Sequence, residues 1–295
     1  MSQYDNQNCI SHLPRIQLKY ENNGYSKSMK LIHSILWKFV VLTGIYLFIL
    51  FPGINANAES TDWTLAVHQH SPSTVLGKLD AAGKEIHTLL KKHGTSNPAG
   101  HVLILHGARQ NPDWKDVIRP LRLALPDYGW TTLSIEMPAV STEASDKNYT
   151  DLLEQATSSI LSAQGNLINA GAKRIIILGY GLGARMAVDW LSKTPQPSVK
   201  ALVLISMGDG LLNSGIDSNQ DLLNIKVPIL DIFAEHDSAN VLKAAKERYR
   251  NRVRLAPYRQ LELFATGPFY SQQDEELIKR IRGWLKLTFK NDKNF

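Results

Sequence analysis

The stretch Arg174-Ile175-Ile176-Ile177-Leu178-Gly179-Tyr180-Gly181-Leu182-Gly183-Ala184-Arg185-Met186-Ala187 decides the fold. Its apolar run predicts a buried strand, and the alternating glycines that follow predict a very tight turn. Small and apolar residues then recur at helical spacing, which predicts a helix. Strand, tight turn and helix in this order form two kinds of site: the elbow that exposes a catalytic nucleophile, and the loop that binds the phosphates of a dinucleotide.

Strands and helices alternate along the rest of the chain. Apolar runs predict strands at residues 101–105, 130–135, 174–178, 199–205, 227–233 and 260–264. Helical spacing predicts helices that begin at residue 113, span 150–170, 183–193, 239–254 and 274–289, and include a short one near Leu222. This alternation predicts an α/β fold: a mostly parallel sheet with helices on both faces and no large cap domain. A further short strand is predicted at residues 63–67, and either a strand or a short helix at residues 85–90.

The start of the chain has the pattern of an export signal. Residues 1–28 are polar and irregular, which predicts an untranslated or disordered leader. Basic, apolar and small-residue regions then follow in order and end at Ala56-Asn57-Ala58, so residues 29–58 are predicted to be a signal peptide that is cleaved after Ala58. The predicted location is the periplasm. The alternative is an uncleaved inner-membrane anchor that faces the periplasm, although the uncharged run at 39–51 is short for a span of ~20 residues.

The remaining chain is predicted to hold the N-terminal strands of the fold at 59–97 and the core at 98–290. Its length suits one sizeable α/β domain. The one cysteine, Cys9, lies in the predicted leader, which excludes disulfides and thiol catalysis from the exported part. The net charge of +6 at pH 7 is modest and gives no support to nucleic-acid binding.

A dinucleotide-binding loop is the weaker of the two interpretations. Gly179, Gly181 and Ala184 satisfy the G-x-G-x-x-G/A pattern. That site also needs an acidic residue at the end of the next strand, to hold the ribose hydroxyls. The next strand ends in Ile205-Ser206-Met207, and Asp209 follows too late. No cofactor is therefore predicted.

Three separated motifs favour the elbow. His106-Gly107 resembles the oxyanion loop of α/β-hydrolases, and Gly179-Tyr180-Gly181-Leu182-Gly183 resembles their G-x-S-x-G elbow. The strand at 227–233 continues into Ala234-Glu235-His236-Asp237 and resembles the strand that ends in the catalytic acid, which places Asp237 in the acid position. The resemblance covers residues 99–290.

The chain is more narrowly similar to a bacterial family of exported α/β-hydrolase-like proteins with no assigned function. The motifs that carry this resemblance are His106-Gly107, Asp113-Trp114, Ile118-Arg119-Pro120-Leu121-Arg122, Gly129-Trp130-Thr131-Thr132-Leu133-Ser134 and Arg280-Ile281-Arg282-Gly283-Trp284-Leu285. The resemblance implies the fold and assigns no substrate.

The Ser-His-Asp triad of the fold is predicted to be incomplete. The nucleophile position holds Gly181, which has no side chain. The base belongs in the loop after the last strand, which reads Ala265-Thr266-Gly267-Pro268-Phe269-Tyr270, and no histidine follows His236. Glycine at the elbow removes backbone strain that costs other residues ~1–3 kcal/mol. The predicted function is therefore binding of a small molecule or an envelope component, without nucleic acid, by an exported pseudoenzyme.

An esterase-like hydrolase with another nucleophile is the alternative. Ser206 could pair with His106 or His236, and Asp237 either faces the same crevice or caps the helix that follows it. Structural roles are the favoured interpretation for both histidines, namely loop shaping for His106 and a solvent-side position for His236. The residues predicted to line a ligand pocket are His106, Gly107, Ala108, Arg109, Tyr180 and Leu182.

Two other patterns have simpler explanations. His68 and His70 have strand spacing, but no carboxylate stands out nearby, so no metal site is predicted. The basic run at 243–254 (Lys243, Lys246, Arg248, Arg250, Arg252 and Arg254) is either a lipid-phosphate contact or one solvated helix face. Glu247 interrupts it, which favours the solvated face. Membrane contact is thus predicted only through an uncleaved signal segment.

Overall fold

A sheet of eight strands lies at the centre of the computed structural model, which describes residues 63, 64, 67, 71–139, 146–209 and 218–292. The strands are β1 (Val75–Ala81), β2 (Lys84–Lys91), β3 (Gly100–Leu105), β4 (Trp130–Ile135), β5 (Ile175–Tyr180), β6 (Val199–Ile205), β7 (Ile229–Ala234) and β8 (Tyr258–Leu263). Their order is β1-β2-β4-β3-β5-β6-β7-β8. Pairing is antiparallel at β1–β2 and β2–β4 and parallel elsewhere, which confirms the predicted mostly parallel sheet.

Helices cover both faces of the sheet, as predicted. They are α1 (Ile118–Ala124), α2 (Asp146–Asn169), α3 (Leu182–Lys193), α4 (Ser218–Asp221), α5 (Ala239–Asn251) and α6 (Asp274–Thr288). The apolar sides of α2 and α3 pack on one face, and those of α1 and α6 pack on the other. Within the described ranges no cap domain is inserted, and none of the helices there is both long and apolar enough to span a membrane.

The N-terminal elements differ from the sequence predictions. Trp63, Thr64 and Val67 are helical, so the strand predicted at 63–67 is wrong. Residues 85–90 belong to β2, since two antiparallel neighbours supply backbone partners. Strand β1 was not predicted because it lies at the edge of the sheet, where mixed polar and apolar residues are largely solvent-exposed. The leader, the predicted signal peptide, Cys9, His68 and His70 all lie outside the described residues.

Several helix ends also differ from the predicted bounds. The helix expected from residue 113 begins at Ile118, because Val117 has a positive φ of 55° and ends any helical run before it. Asp113 instead forms a buried ion pair with Arg122 and a second with Arg119 at 3.0 Å. Helix α2 begins at Asp146 rather than 150, and α5 ends at Asn251 before a 3-10 turn.

Candidate functional site

The junction between β5 and α3 has the geometry of a nucleophile elbow. Gly181 is the one residue between the strand and the helix, with φ 53° and ψ −116°. This conformation costs a residue with a side chain roughly 1–3 kcal/mol, and glycine adopts it freely. Its N–H donates to the carbonyl oxygen of Ile205 at 2.8 Å, which ties the elbow to the neighbouring strand β6.

The glycines that flank the elbow are required by close packing, whereas Gly181 is not. A Cβ atom at Gly183 would lie 2.4 Å from the carbonyl oxygens of both Leu105 and His106. A Cβ atom at Gly179 would lie 2.4 Å from the Cα of Ala184. At Gly181 the nearest atom would be 3.9 Å away, so a side chain has room there. The elbow therefore has the geometry that would expose a nucleophile, but Gly181 has no side chain that could react.

A buried chain of three polar side chains joins the ends of β6 and β7 to the loop after β8. The Ser206 hydroxyl donates to Asp237 Oδ2 at 2.6 Å and lies 2.9 Å from the Tyr270 hydroxyl. Because the Ser206 hydrogen points to the carboxylate, the Tyr270 hydroxyl must donate to Ser206 Oγ. All three residues are buried. The carboxylate also accepts a hydrogen bond from the backbone N–H of Ala234.

Tyr270 is the site residue that sequence reasoning missed. It ends the loop 265–270, where α/β-hydrolases carry their base, and it is fully buried. Burial raises its pKa well above the ordinary value, with the Asp237 charge adding to the effect, so the phenol stays protonated. Its backbone φ of 53° is unusual for a tyrosine. A tyrosine in the loop where the fold carries its base was the available signal, but tyrosine belongs to no standard triad.

Asp237 follows β7, where the sequence comparison expects the acid, and does not cap the following helix. The N-cap of α5 is Ser238, whose hydroxyl accepts from the N–H of Val241 at 3.4 Å. The Asp237 carboxylate instead faces Ser206. The structure thus brings together two candidate residues, Ser206 and Asp237, and adds Tyr270 to them.

His106 uses both ring nitrogens on the backbone. Its Nε2 accepts from the N–H of Met137 at 3.0 Å, so Nδ1 carries the hydrogen and donates to the carbonyl of Gly107 at 2.8 Å. Burial lowers the pKa of His106 to about 4, which keeps the imidazole neutral. In this arrangement the ring holds the loops after β3 and β4 together and has no free nitrogen for a substrate.

His236 lies apart from the buried chain. Its side chain is 69% exposed, and its closest charged neighbour is Glu235 at 3.9 Å. Ala108 and Arg109 are also exposed, and Arg109 has a positive φ of 56°. Of the two histidines considered as bases for Ser206, neither hydrogen-bonds to it within the described part of the chain.

The loop after β3 packs against the elbow, with Gly107 and Tyr180 buried at the contact. A Cβ atom at Gly107 would lie 3.2 Å from the ring of Tyr180, and Gly107 Cα is the nearest neighbour of position 181. Tyr180 donates from its hydroxyl to the carbonyl of Pro268 at 2.8 Å, and burial raises its pKa to about 12. Leu182 is half-buried at the first position of α3. Gly107 and Tyr180 are therefore neighbours at the elbow, and their part in lining a pocket stays a prediction.

A cleft of about 460 Å³ opens at the same edge, next to the end of β4. Its walls are the turn between β1 and β2, the segment Glu136–Pro138 and the first half of α2. This volume is in the range of small-molecule sites. The His106 ring lies against one wall, because its Nε2 binds the N–H of Met137. Across residues 71–139, 146–209 and 218–292, no group of three or more His, Cys, Asp or Glu side chains is placed to hold a metal ion.

The family comparison identifies the chain. The model described as "Protein of unknown function (DUF3530)" matches residues 55–159 and 140–287, which together make up most of the sequence. The chain belongs to this family. None of the curated proteins compared with the DUF3530 chain matches it.

Solved structures similar to the DUF3530 chain are α/β-hydrolases. Est1E from Butyrivibrio proteoclasticus superposes with a TM-score of 0.59 at 12% identity, over 73% of this chain and 99% of Est1E. An esterase of Pyrococcus furiosus gives 0.58 at 15% identity over 72% and 90%. A CIB-like hydrolase from Thermoplasma acidophilum gives 0.53 at 17% identity over 72% and 99%. These likenesses confirm the α/β-hydrolase fold and carry no activity over to the DUF3530 chain.

Proposed function

We propose that this protein is an exported, periplasmic binding protein that has the α/β-hydrolase fold and lacks Ser-His-Asp catalysis. The observation that carries the proposal is Gly181, which keeps the elbow conformation and the space for a side chain but has no nucleophile. The acid position supports the same conclusion, because Asp237 contacts Ser206 and the chain Tyr270–Ser206–Asp237 contains no imidazole. Export rests on the signal pattern at 29–58.

The chemistry of the buried chain also argues against a substitute nucleophile. A nucleophilic serine needs a base that takes its proton and a lone pair that faces the substrate. The proton of Ser206 is held by Asp237, and one lone pair accepts the hydrogen of Tyr270. The residue is also buried. Its hydroxyl therefore serves as a link between two other side chains.

An esterase-like activity at Ser206 is the second candidate. Two observations favour it: the positive φ of 48° at Ser206, which is strained backbone of the kind found at active sites, and the short hydrogen bond to Asp237. For this activity a substrate would first have to displace Tyr270 and so expose the Ser206 hydroxyl. The binding function needs no such rearrangement and is the better supported of the two.

The ligand is proposed to occupy the carboxyl edge of the sheet, where ligands of open α/β sheets bind. The half-buried elbow positions Gly181 and Leu182 and the cleft beside Glu136–Pro138 are the candidate contacts at this edge. A small molecule or a group on an envelope component fits a site of this size. Detection of a co-purified molecule by native mass spectrometry would identify its class.

The variant Gly181→Ser is expected to hydrolyse no short-chain ester above background. It supplies a hydroxyl at the elbow, but His106 has no free nitrogen to act as its base. The strained backbone is expected to lower the free energy of unfolding by about 1–3 kcal/mol. Ester turnover and chemical denaturation measure the two effects.

Gly181→Ala is the matched control, since it carries the same backbone strain without a hydroxyl. The two variants are expected to be equally inactive and similarly destabilised. Turnover by Gly181→Ser that exceeds Gly181→Ala and disappears on His106→Gln would show that a functional base is present. That result would refute the proposed loss of catalysis.

A further inference from the structure

Acidic side chains are frequent at the carboxyl edge of the sheet, where Lys84, Arg109 and Lys115 also lie, and exposed cations predominate at the opposite edge. Acidic side chains follow the strands: Glu136 after β4, Asp209 after β6, and Glu235 and Asp237 after β7. Exposed basic side chains lie at the opposite edge. Lys173, Lys200, Lys226, Arg252 and Arg254 stand at or before the starts of parallel strands, and Lys92 follows the antiparallel strand β2, which ends there. Because parallel strands share one direction, all of these cations lie at the edge where the strands begin.

We call this edge the amino-end face and define it by its exposed basic residues (Lys92, Lys173, Lys200, Lys226, Arg250, Arg252 and Arg254) and by its exposed apolar ones (Val75, Tyr128, Ile168, Tyr249, Val253 and Leu287). The antiparallel strand β2 ends here, and β1 begins here. Helices α2, α3, α5 and α6 all run back from the carboxyl edge and end at this face, as the ion pair of Arg174 with Asp292 shows for α6.

The cations of the amino-end face have no ion-pair partners within the described residues. Arg248, which the sequence groups with them, is different: it is buried and binds Asp231 at 2.8 Å. Asp127 and Asp292 also lie at this end, and Asp292 is paired with Arg174. Complementation of helix dipoles explains a cation such as Arg250 at the end of α5. Lys226 donates to the carbonyl of Leu223 at 2.9 Å, in the 3-10 helix just before it. Neither explanation applies to Lys173 or Lys200, which lie outside the helices.

Apolar side chains are exposed among these cations. Val253 is 85% exposed between Arg252 and Arg254, and Leu287 is 69% exposed at the end of α6. Tyr249 is half-exposed, and the Arg252 guanidinium lies 4.0 Å from its ring centre. Of the exposed large apolar side chains in the described part of the chain, Leu161, Phe264 and Phe269 lie elsewhere. Unpaired cations around exposed apolar tips fit an anionic surface with an apolar interior.

We propose that the amino-end face docks on an anionic phospholipid bilayer. The arginines at 250–254 and the lysines of neighbouring strand ends bind the headgroups, and Val253 and Leu287 enter the acyl boundary. A cleft of about 730 Å³ on the same face, with Lys173 and Lys200 at its walls, gives headgroups further cationic contact. The carboxyl edge with its candidate ligand site then faces away from the membrane. This contact differs from the sequence-based expectation of membrane contact through the signal segment alone.

A local fluorescent reporter tests the docking on the full chain. An environment-sensitive dye is attached at Val253→Cys in a Cys9→Ser background, and vesicles of phosphatidylglycerol in phosphatidylcholine are compared with pure phosphatidylcholine. Emission is expected to shift to the blue on the anionic vesicles only. A dye at Lys115→Cys, on the acidic edge, is expected to show no shift. The local readout separates this contact from insertion of the apolar segment at 39–51.

Charge variants test the headgroup contacts. The triple variant Arg250→Gln, Arg252→Gln, Arg254→Gln is expected to weaken the anionic response roughly 100-fold, since each basic residue near a membrane surface contributes about fivefold. The matched control Lys84→Gln, Lys115→Gln, Lys279→Gln removes the same charge elsewhere and is expected to bind as the unaltered chain does. Thermal unfolding of the control is expected to be unchanged, and that of the arginine variant to fall only slightly, because Arg250 and Arg252 stabilise the end of α5.

Three results would overturn the docking proposal. They are a dye at position 253 that does not respond to anionic vesicles, an equal response on neutral vesicles, and a response that survives the arginine substitutions. A chain that binds heparin or duplex DNA through the same arginines and gives no response on vesicles would be a polyanion-binding protein. That outcome would also refute the proposal, because Val253 and Leu287 have no role on a polyanion.

Discussion

Gly183→Ala is expected to destabilise the protein by more than about 4 kcal/mol, which places it among the exceptional single substitutions. A Cβ atom at this position would lie 2.4 Å from two backbone oxygens of the β3 end, Leu105 O and His106 O. Neither atom belongs to a flexible side chain, so α3 and β3 would have to separate. The buried apolar contacts between them, which include Ala184 and Leu105, would be lost as well. Chemical denaturation, or failure to recover folded protein, measures the effect.

Alanine substitutions at Gly165 in α2 and Gly283 in α6 are the matched controls. A Cβ atom at either position meets nothing within 4 Å, and alanine in a helix interior is favoured over glycine by roughly 0.5–1 kcal/mol. Both controls are expected to be neutral or slightly stabilising, and Gly181→Ala is expected to lie between them and Gly183→Ala. A Gly183→Ala variant as stable as the controls would show that the strand and the helix are not in the close contact on which the elbow assignment depends.

The free energy of unfolding is expected to fall by about 3 kcal/mol between pH 6.5 and pH 4 because His106 is buried in its neutral form. Burial lowers its pKa in the folded protein to about 4 from the ordinary value of 6.5. In this range the unfolded chain binds a proton at His106 that the folded chain does not bind. The free energy of unfolding therefore falls with the pH. The stability of the protein is free of this loss only above pH 6.5.

The variant His106→Gln isolates this contribution. Carboxylates such as Glu136, whose pKa is lowered by hydrogen bonds from His87, also lose stabilisation on acidification, so the comparison is between two pH profiles. The profile of His106→Gln is expected to be flatter between pH 6.5 and 4, and that of His236→Gln, a change at an exposed residue, is expected to match the unaltered chain. Equal slopes in all three proteins would mean that His106 is not held neutral.

The central fold was predictable because its signals are local. The strands at 101–105 and 175–178 each pack between two helical layers. Because both of their faces are buried, their consecutive residues are apolar. The helix expected at 274–289 carries an apolar stripe and occurs at Asp274–Thr288. Strand β1 gave no such signal, because an edge strand that is mostly exposed needs few apolar residues.

The site was predictable only where a motif names the residue. Glycine spacing identified the elbow and position 181. The contact of Ser206 with Asp237 follows from adjacent parallel strands, β6 and β7, whose ends meet at one edge. Tyr270 was missed because its role depends on a loop that folds back under the sheet edge, which no spacing rule describes. Arg248 could not be separated from its basic neighbours until the structure placed Asp231 beside it.

The same limit applies to the amino-end face. Its cations come from separate parts of the chain, so the sequence shows only the run at 243–254 and a mild overall charge. The sheet order brings Lys173, Lys200 and Lys226 to the same edge. The fold thus places charges from distant parts of the sequence on one surface. The acidic residues that follow the strands lie at the opposite end.

The central claim is that the elbow of this α/β-hydrolase fold no longer performs nucleophilic catalysis. Its most direct test is a serine-directed fluorophosphonate probe on the purified chain, with modified residues mapped by mass spectrometry and an active serine hydrolase as the positive control. We expect no serine to be labelled, because position 181 is glycine and the Ser206 hydroxyl is held between Asp237 and Tyr270. Covalent labelling of Ser206, lost on Ser206→Ala, would contradict the claim and establish a hydrolase.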